Sequence, residues 1–376
     1  MVCGAYMTKA APALPLQRAE LGLTLVESGF IATAFNVVGG TLGIFAGTLA
    51  GRFGLRRAAL GGLALLAGAG LLGAAAGHFA LLLVSRALEG VGFLMFTVCG
   101  SALVASAAHG ERDRARALGL WAAYMPAGGG LALLAAPPLL AAWGWQGLWL
   151  ALCGVAAGCF VLAYRHAPEP PRGAPLASLR LIRETLARPG NLALAALFVF
   201  YVAQWVSVMI WLPTFLVDER GASPAAAALL TAAMVLVNAP GNVAGGLLLA
   251  RGVRRGSLVI AASAIMAASA AGMLSPALPD GARYLLCLGF SLCAGVIPGA
   301  IFSGLPVHAK SPQHISTANG LVLQTSQAGQ FLAPVALAWL ASRFGGWGAT
   351  LWAMLAFAAG GAGCGAALLA LERRRA

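Results

Sequence analysis

The chain has 376 residues, of which 60% are hydrophobic and only 9% are charged. A soluble protein carries about 25% charged residues, so this composition excludes an ordinary soluble domain. The net charge of +13 does not indicate a nucleic-acid-binding protein, because the arginines lie in short loops without neighbouring aromatic clusters. The apolar runs last about 20 residues, which predicts membrane-spanning α-helices and excludes a β-barrel.

Twelve apolar segments follow one another, and each is predicted to cross the membrane as a helix. The 50 glycines suit helices that pack closely in lipid, where small side chains let backbones approach. The segments are residues 1–16, 26–50, 58–77, 79–108, 114–139, 145–164, 191–217, 224–250, 256–277, 281–308, 314–341 and 346–370.

The first segment is short for a membrane span. Only eleven residues precede Pro12, and they cover about 17 Å of a hydrocarbon core about 30 Å thick. Either the first helix begins partway through the bilayer, or the start codon lies upstream, which is the interpretation we favour. A signal peptide is disfavoured, because Lys9 interrupts the apolar run and no basic n-region precedes it.

A proline-rich polar stretch at residues 165–190 divides the chain into two halves. We predict an N-terminal six-helix bundle at 1–164, a cytoplasmic linker at 165–190 and a C-terminal six-helix bundle at 191–376. One short surface helix is expected in the linker, around residues 176–187.

The halves contain similar motifs at nearly constant offsets. The stretch GTLAGRFGLRR at 47–57 returns as GGLLLARGVRR at 245–255, an offset of 198 (252 − 54). Gly119-Leu120 and Gly320-Leu321 are separated by 201 residues. These repeats predict a duplicated unit and two pseudo-symmetric bundles.

Basic residues predict the orientation of the chain in the membrane. The loops after segments 2, 4, 6, 8 and 10, together with the C-terminus, hold 18 of the 24 lysines and arginines, and the opposite loops hold four. Because cytoplasmic loops are enriched in Lys and Arg, we predict a multi-pass protein of the cell inner membrane with a cytoplasmic C-terminus.

Three local motifs point to one family. Residues 47–56 follow the pattern G-x-L-a-D-r-x-G-r-k, with Gly51 in place of the acid. Residues 86–92, RALEGVG, follow R-x-x-q-G-x-G, with Glu89 in place of Gln. Residues 124–130 keep Pro126 and Gly129 of a G-P-x-x-G-G pattern but lack the Gly before the Pro. Over essentially its whole length the chain resembles the major facilitator superfamily, and the patches 211–216 and 241–246 resemble its cyanate/nitroimidazole-permease branch.

This resemblance implies an all-α polytopic fold of two six-helix bundles that rock around a central cavity. It also implies that the repeated basic loop takes part in conformational gating, with a weaker latch where Gly51 replaces the acid. The residues expected to act there are Gly47, Arg52, Gly54, Arg56, Gly252 and Arg254.

Charged residues inside the predicted spans are costly to bury and are candidates for function. Arg86 and Glu89 are three residues apart and share a helix face. They are either a neutralised structural pair or a proton-coupling site, for which Glu27 is a further candidate. Lys9 either reaches the outer headgroups or attracts an anionic substrate. No metal site or cofactor is predicted, because the histidines are isolated and the cysteines form no C-x-x-C pair.

Neutral polar side chains complete the predicted substrate site. Each is either a substrate contact or a hydrogen-bonding partner between helices. With Lys9, the candidates are Asn36, Tyr124, Gln204, Trp205, Asn238, Gln324 and Gln327.

The leading hypothesis is a secondary active transporter that moves a small organic anion by alternating access. The chain has no P-loop for ATP, so the energy is expected to come from a substrate gradient or a proton gradient. The alternatives are a proton-coupled drug or metabolite efflux pump and a membrane sensor without transport. An enzyme is disfavoured, because no cluster of His, Asp and Glu occurs at a membrane face. The expected partners are the substrate and the lipid bilayer, without nucleic acid, and the expected state is a monomer.

Overall fold

The computed structural model describes residues 1–43, 54–107, 124–167, 179–310 and 312–373. Within these ranges the chain is helical between short turns and contains no strand. The prediction of an all-α fold is therefore confirmed. Residues 47 and 52 of the predicted gating loop lie outside the described ranges.

Helices α1 to α6 belong to the first half of the chain. Their bounds are α1 Val2–Thr8, α2 Ala10–Leu21, α3 Leu25–Thr33, α4 Leu55–Ala74, α5 Phe79–Ala107 and α6 Tyr124–His166.

Helices α7 to α14 follow in the second half. Their bounds are α7 Leu179–Leu186, α8 Pro189–Arg220, α9 Pro224–Leu236, α10 Asn238–Ala250, α11 Arg255–Leu274, α12 Asp280–His308, α13 Pro312–Arg343 and α14 Leu351–Arg373. Helix α7 is the short linker helix predicted around 176–187.

The first predicted segment extends further than the sequence indicated. Lys9 keeps helical dihedral angles between α1 and α2, so the helical path runs from residue 2 to residue 21 rather than ending at 16. Pro12 lies in the first turn of α2, where no intrahelical N–H is needed, and Pro15 lies inside the helix. The helix ends where Gly22 adopts φ 63°, a left-handed conformation that glycine tolerates.

Nine helical stretches in the described part are long and apolar enough to cross a membrane. One of them, Ala127–His166, covers two predicted segments, because Trp143 and Gly144 are the only non-helical residues within α6. The predicted first and eleventh segments are helical without being among the nine. The first segment is divided into two short helices at Lys9. The eleventh segment, α13, contains several Gln, Ser and Thr residues, which lower its hydropathy.

The chain forms two compact units. Unit 1 comprises Met1–Ala177 and Leu212–Ala232, and unit 2 comprises Ser178–Trp211 and Ala233–Ala376. The predicted boundaries at 164 and 191 stay a prediction.

In unit 1, glycines bring α5 against two neighbours. A Cβ atom at Gly62 of α4 would lie 2.7 Å from the carbonyl oxygen of Gly92 in α5, and a Cβ at Gly92 would lie 2.7 Å from that of Gly62. A Cβ at Gly90 would lie 2.1 Å from the carbonyl oxygen of Phe35. These close approaches, which only glycine permits, place residues 86–89 of α5 beside the end of α3.

In unit 2, glycines likewise allow close backbone contacts between α10 and α12 and between α11 and α14. A Cβ at Gly241 would lie 2.0 Å from the carbonyl oxygen of Leu292, and a Cβ at Gly256 would lie 2.3 Å from that of Gly365. Such small-residue contacts are how helices associate in lipid, where no hydrophobic force drives them together.

The repeated basic turn has the same backbone conformation at its glycine in both halves. Gly54 has φ 86° and Gly252 has φ 85°, and a helix begins one residue after Gly54 and three residues after Gly252. Only glycine adopts this conformation readily.

Candidate functional site

Three buried charged side chains meet in unit 1. Glu89 accepts a hydrogen bond from Lys9 Nζ on Oε1 at 2.7 Å and one from Arg86 Nη1 on Oε2 at 2.6 Å. All three side chains have no exposed surface. Lys9 therefore does not reach the headgroups, and it shares the carboxylate of Glu89 with Arg86. We call these three residues the charged cluster.

Arg86 is oriented by backbone carbonyls as well as by Glu89. Its Nε donates to the carbonyl of Ile31 at 3.1 Å, and its Nη1 donates to the carbonyl of Tyr6 at 2.9 Å. Helix α3 ends at Thr33 in a 3₁₀ turn, Ala34–Asn36, which interrupts the α-helical hydrogen-bonding pattern and leaves the Ile31 carbonyl available to a side chain.

Lys9 lies between two aromatic rings. Its Nζ is 4.2 Å from the ring centroid of Tyr6 and 4.3 Å from that of Trp149. Trp149 is itself packed edge-on against Trp145, with ring centroids 5.5 Å apart. The negative faces of the rings stabilise the ammonium group, so the cation is held in a defined position in the interior of unit 1.

The charges of the cluster do not balance when all three groups are ionised. Two cations share one carboxylate, which leaves one positive charge without a counter-ion among the described residues. Burying an uncompensated ion costs several kcal/mol. The arrangement is therefore suited to receiving one negative charge, or to releasing one proton from Lys9.

In unit 2, four of the predicted polar residues lie in two places: Trp205 and Asn238 contact Ser291, and Gln324 and Gln327 lie on α13. Trp205 Nε1 donates to Ser291 Oγ at 2.8 Å, and Asn238 Nδ2 donates to the carbonyl of Ser291 at 2.9 Å. Tyr201 stacks on Trp205 with ring centroids 6.4 Å apart. Helix α13 carries Gln324 and Gln327, which are both half-buried.

Two buried glutamines in unit 2 have unused hydrogen-bonding capacity. Gln204 Nε2 donates to the carbonyl of Phe200 at 3.3 Å, and Gln330 Nε2 donates to Ser326 Oγ at 3.0 Å. The side-chain oxygens of both have no partner in the described part of the chain. Buried amides are normally satisfied, so these oxygens are free to bind water or a substrate donor.

The remaining predicted site residues of unit 1 have separate surroundings. Glu27 forms a capping box with Thr24 at the start of α3, where its Oε2 accepts from the Thr24 N–H at 2.9 Å. Asn36 is buried, and its Oδ1 has no partner among the described residues. Tyr124 is half-buried at the first position of α6.

The described residues of the predicted gating loops lie at helix starts. Gly54 precedes α4, and Arg56 Nη2 donates to the carbonyl of Tyr164 at 2.6 Å. Gly252 and the exposed Arg254 precede α11. Arg56 thus connects the start of α4 to the end of α6.

Sequence reasoning did not select Gln17 or Ser291. Gln17 is fully buried in α2, and neither atom of its amide group has a partner in the described ranges. Ser291 receives a bond from Trp205 and donates to the carbonyl of Met234 at 2.6 Å. The only signal in the sequence is a lone polar residue in an apolar run, which many structural residues share.

Long apolar helices with a buried charged cluster define a polytopic membrane protein of the transporter type. The sequence profile described as "Major Facilitator Superfamily" matches residues 1–334, and the chain belongs to this superfamily. Family membership indicates a transporter rather than an enzyme. The narrower resemblance to the cyanate/nitroimidazole-permease branch stays a prediction.

Two curated relatives are similar to this chain. The "Probable sulfoacetate transporter SauU" of Cupriavidus necator is 26% identical over 360 residues, which is 89% of this chain and 83% of that protein. The "Methylenomycin A resistance protein" of Bacillus subtilis is 33% identical over 144 residues, which is 38% of this chain and 30% of that protein. The second match therefore spans less than a third of the relative.

Solved structures share the fold at low sequence identity. A bacterial homologue of the human lysosomal transporter Spinster, in an inward-facing and unoccupied conformation, aligns with a TM-score of 0.77 and 18% identity. The alignment covers 98% of this chain and 92% of that protein. At this identity the likeness supports the major facilitator fold and nothing finer.

Proposed function

We propose that the protein transports a small organic anion across the cell inner membrane by alternating access. The observation that carries this proposal is the excess positive charge of the buried cluster formed by Lys9, Arg86 and Glu89. An anion at the cluster removes the cost of burying that charge. The similarity to a protein named as a sulfoacetate transporter supports an anionic substrate.

Charge balance also supports coupling to protons. When no substrate is bound, the cluster becomes neutral if Lys9 releases its proton, because Arg86 and Glu89 then balance each other. When Lys9 is protonated, one monovalent anion restores neutrality. One proton is therefore taken up with each monovalent anion, and transport is proton–anion symport. Arginine keeps its proton throughout.

Flux into proteoliposomes tests this proposal. Purified protein is reconstituted, and uptake of radiolabelled sulfoacetate and of small carboxylates is followed with an imposed pH gradient. We expect an interior more alkaline than the medium to accelerate uptake, and protein-free liposomes to show none. A membrane potential imposed without a pH gradient will not drive a monovalent anion, because the coupled step moves no net charge. Uptake that responds to potential and ignores pH would contradict the symport.

The second candidate is proton-coupled efflux of a drug or metabolite. Glu89 is a fully buried carboxylate inside a span, and a protein named for methylenomycin A resistance shares 33% identity over 144 residues. In this case the proton is carried by Glu89, and the substrate is apolar or cationic. Efflux of a cationic dye from proteoliposomes, without uptake of any anion, would support this candidate. Ligand binding without flux would instead support the sensor.

A further inference from the structure

A cavity of about 480 Å³ opens in unit 2 where α10 turns into α11. Its polar lining consists of Arg254, Arg255, Ser303 and Glu372. Gly246 forms part of its wall, and a Cβ atom built there meets no atom within 4 Å. The space beside Gly246 is therefore empty enough for a ligand group. No residue of the charged cluster lines this cavity.

The charges around the cavity favour an anion. Arg255 Nη1 forms a short ion pair with Glu372, and its Nη2 donates to the carbonyl of Ser303 at 3.1 Å. These contacts neutralise Glu372 and hold Arg255 in place. Arg254 is exposed and has no ion-pair or hydrogen-bond partner in the described part of the chain. One positive charge therefore remains at the rim of the cavity.

The backbone adds to this positive potential. Arg254 is the N-cap residue of α11, and no side chain caps that helix, because an arginine has no acceptor to offer. The first N–H groups of a helix and its dipole favour a negative group at this end. Arg254 and the first turn of α11 thus present donors to the same cavity.

Exposed apolar side chains lie on two of the helices that form the cavity wall, α10 and α12. On α10, Val243 and Leu247 are 63% and 54% exposed, and on α12 Phe302 is 43% exposed. In a membrane protein such side chains face lipid tails. The cavity lies at the basic end of α10, which the distribution of lysines and arginines predicts to be cytoplasmic. It therefore lies at the depth of lipid headgroups.

We propose that this cavity binds the phosphate group of an anionic phospholipid. The headgroup phosphate receives hydrogen bonds from Arg254 and from the first turn of α11, and the acyl chains lie along the exposed side chains of α10 and α12. A zwitterionic lipid binds less well, because its own cation opposes the charge of Arg254. The site shares Gly252 and Arg254 with the predicted gating loop, but it contains no residue of the charged cluster and does not depend on the substrate.

Native mass spectrometry of the full chain in detergent tests the site. The protein is titrated with phosphatidylglycerol and, separately, with phosphatidylcholine of the same acyl chains. We expect tighter binding of phosphatidylglycerol, and Arg254→Gln will weaken that binding about fivefold, the contribution of one arginine near anionic lipid. Arg251→Gln is the matched control. Arg251 is exposed in the same turn and does not line the cavity, so this variant will bind like the parent.

A second variant tests the cavity itself. Gly246→Leu adds a side chain to the empty space without changing charge, and it will also weaken binding of phosphatidylglycerol. Equal losses from Arg254→Gln and Arg251→Gln would overturn the proposal, as would equal binding of the two lipids. Displacement of phosphatidylglycerol by millimolar inorganic phosphate would show that the site takes a free anion, and would overturn its assignment to lipid.

Discussion

Glu89 accepts a hydrogen bond from each of two cations, and this shared carboxylate determines what each substitution in the cluster will do. Without Lys9, Glu89 and Arg86 form a balanced pair. Without Glu89, Arg86 stays buried with no counter-ion, and so does Lys9 whenever it is protonated. The two substitutions therefore change the buried charge in opposite directions and are expected to have different consequences.

We predict that Lys9→Met abolishes anion uptake while the protein still folds. Methionine fills a similar volume, and the remaining pair of Arg86 and Glu89 has no charge left to attract a substrate. Uptake into proteoliposomes is the measurement, with size-exclusion chromatography as the check on folding.

The matched control is Lys310→Met, which removes the other lysine of the chain at an exposed position. Parental uptake is expected from this variant. If Lys9→Met also retains parental uptake, Lys9 is not part of the substrate site.

We predict that Glu89→Gln lowers the stability of the protein more than Lys9→Met does. Breaking a buried ion pair by removing one partner costs about 3–5 kcal/mol, because the other charge stays buried without compensation. Thermal unfolding in detergent measures the difference. The double variant Lys9→Met/Glu89→Gln removes one charge of each sign and should recover part of the loss. A double variant as unstable as the sum of both single variants would show that the two residues are not coupled.

At the scale of elements, the cluster depends on how α3 and α5 meet. The 3₁₀ turn after α3 brings Phe35 and the carbonyl of Ile31 to Arg86, and Gly90 allows this turn to approach α5. The Phe35 ring centroid lies 5.0 Å from the Arg86 guanidinium carbon. The end of α3 and the turn after it thus supply a carbonyl acceptor for the Arg86 guanidinium and an aromatic ring, Phe35, that packs against it.

We predict that Gly90→Ala separates these two elements and reduces both stability and uptake. Its Cβ would lie 2.1 Å from the carbonyl oxygen of Phe35, so the backbone must move. Gly154→Ala is the control, because it is also helical and its Cβ would meet no atom within 4 Å. That variant should keep its melting temperature or raise it, since alanine stabilises a helix by up to about 1 kcal/mol relative to glycine. Equal melting temperatures for the two variants would contradict the close approach.

At the scale of the whole molecule, the arginine and lysine counts predict which ends of the helices face the cytoplasm. Leu278, between α11 and α12, is 37% exposed and is predicted to lie outside. Arg251, between α10 and α11, is predicted to lie inside. A cysteine placed at Leu278 should react with an impermeant maleimide on intact cells, whereas one at Arg251 should react only after permeabilisation. The reverse pattern would invert the predicted topology.

Both the fold and the family could be predicted from the sequence. Apolar runs of about 20 residues and the motifs at 47–56 and 86–92 are local signals, and a membrane enforces helices on such runs because backbone groups find no water there. The profile match confirms the superfamily, and the structural neighbours confirm the fold. The residues that could carry function were also recognisable from local sequence, because ionised side chains such as Lys9, Arg86 and Glu89 are rare within membrane spans.

The partners of these residues could not be predicted. Arg86 and Glu89 were expected to meet because they are three residues apart on one helix. That Lys9 joins them from a position 80 residues away, between the rings of Tyr6 and Trp149, depends on packing among α1, α5 and α6. The course of the helix through Pro12 and Pro15 was also decided by tertiary structure. The local sequence pattern determines which segments become helices. The contacts between helices depend on the whole chain, because each helix packs against several others. Those contacts place two cations on one carboxylate in the buried cluster, which leaves an excess positive charge while Lys9 is protonated.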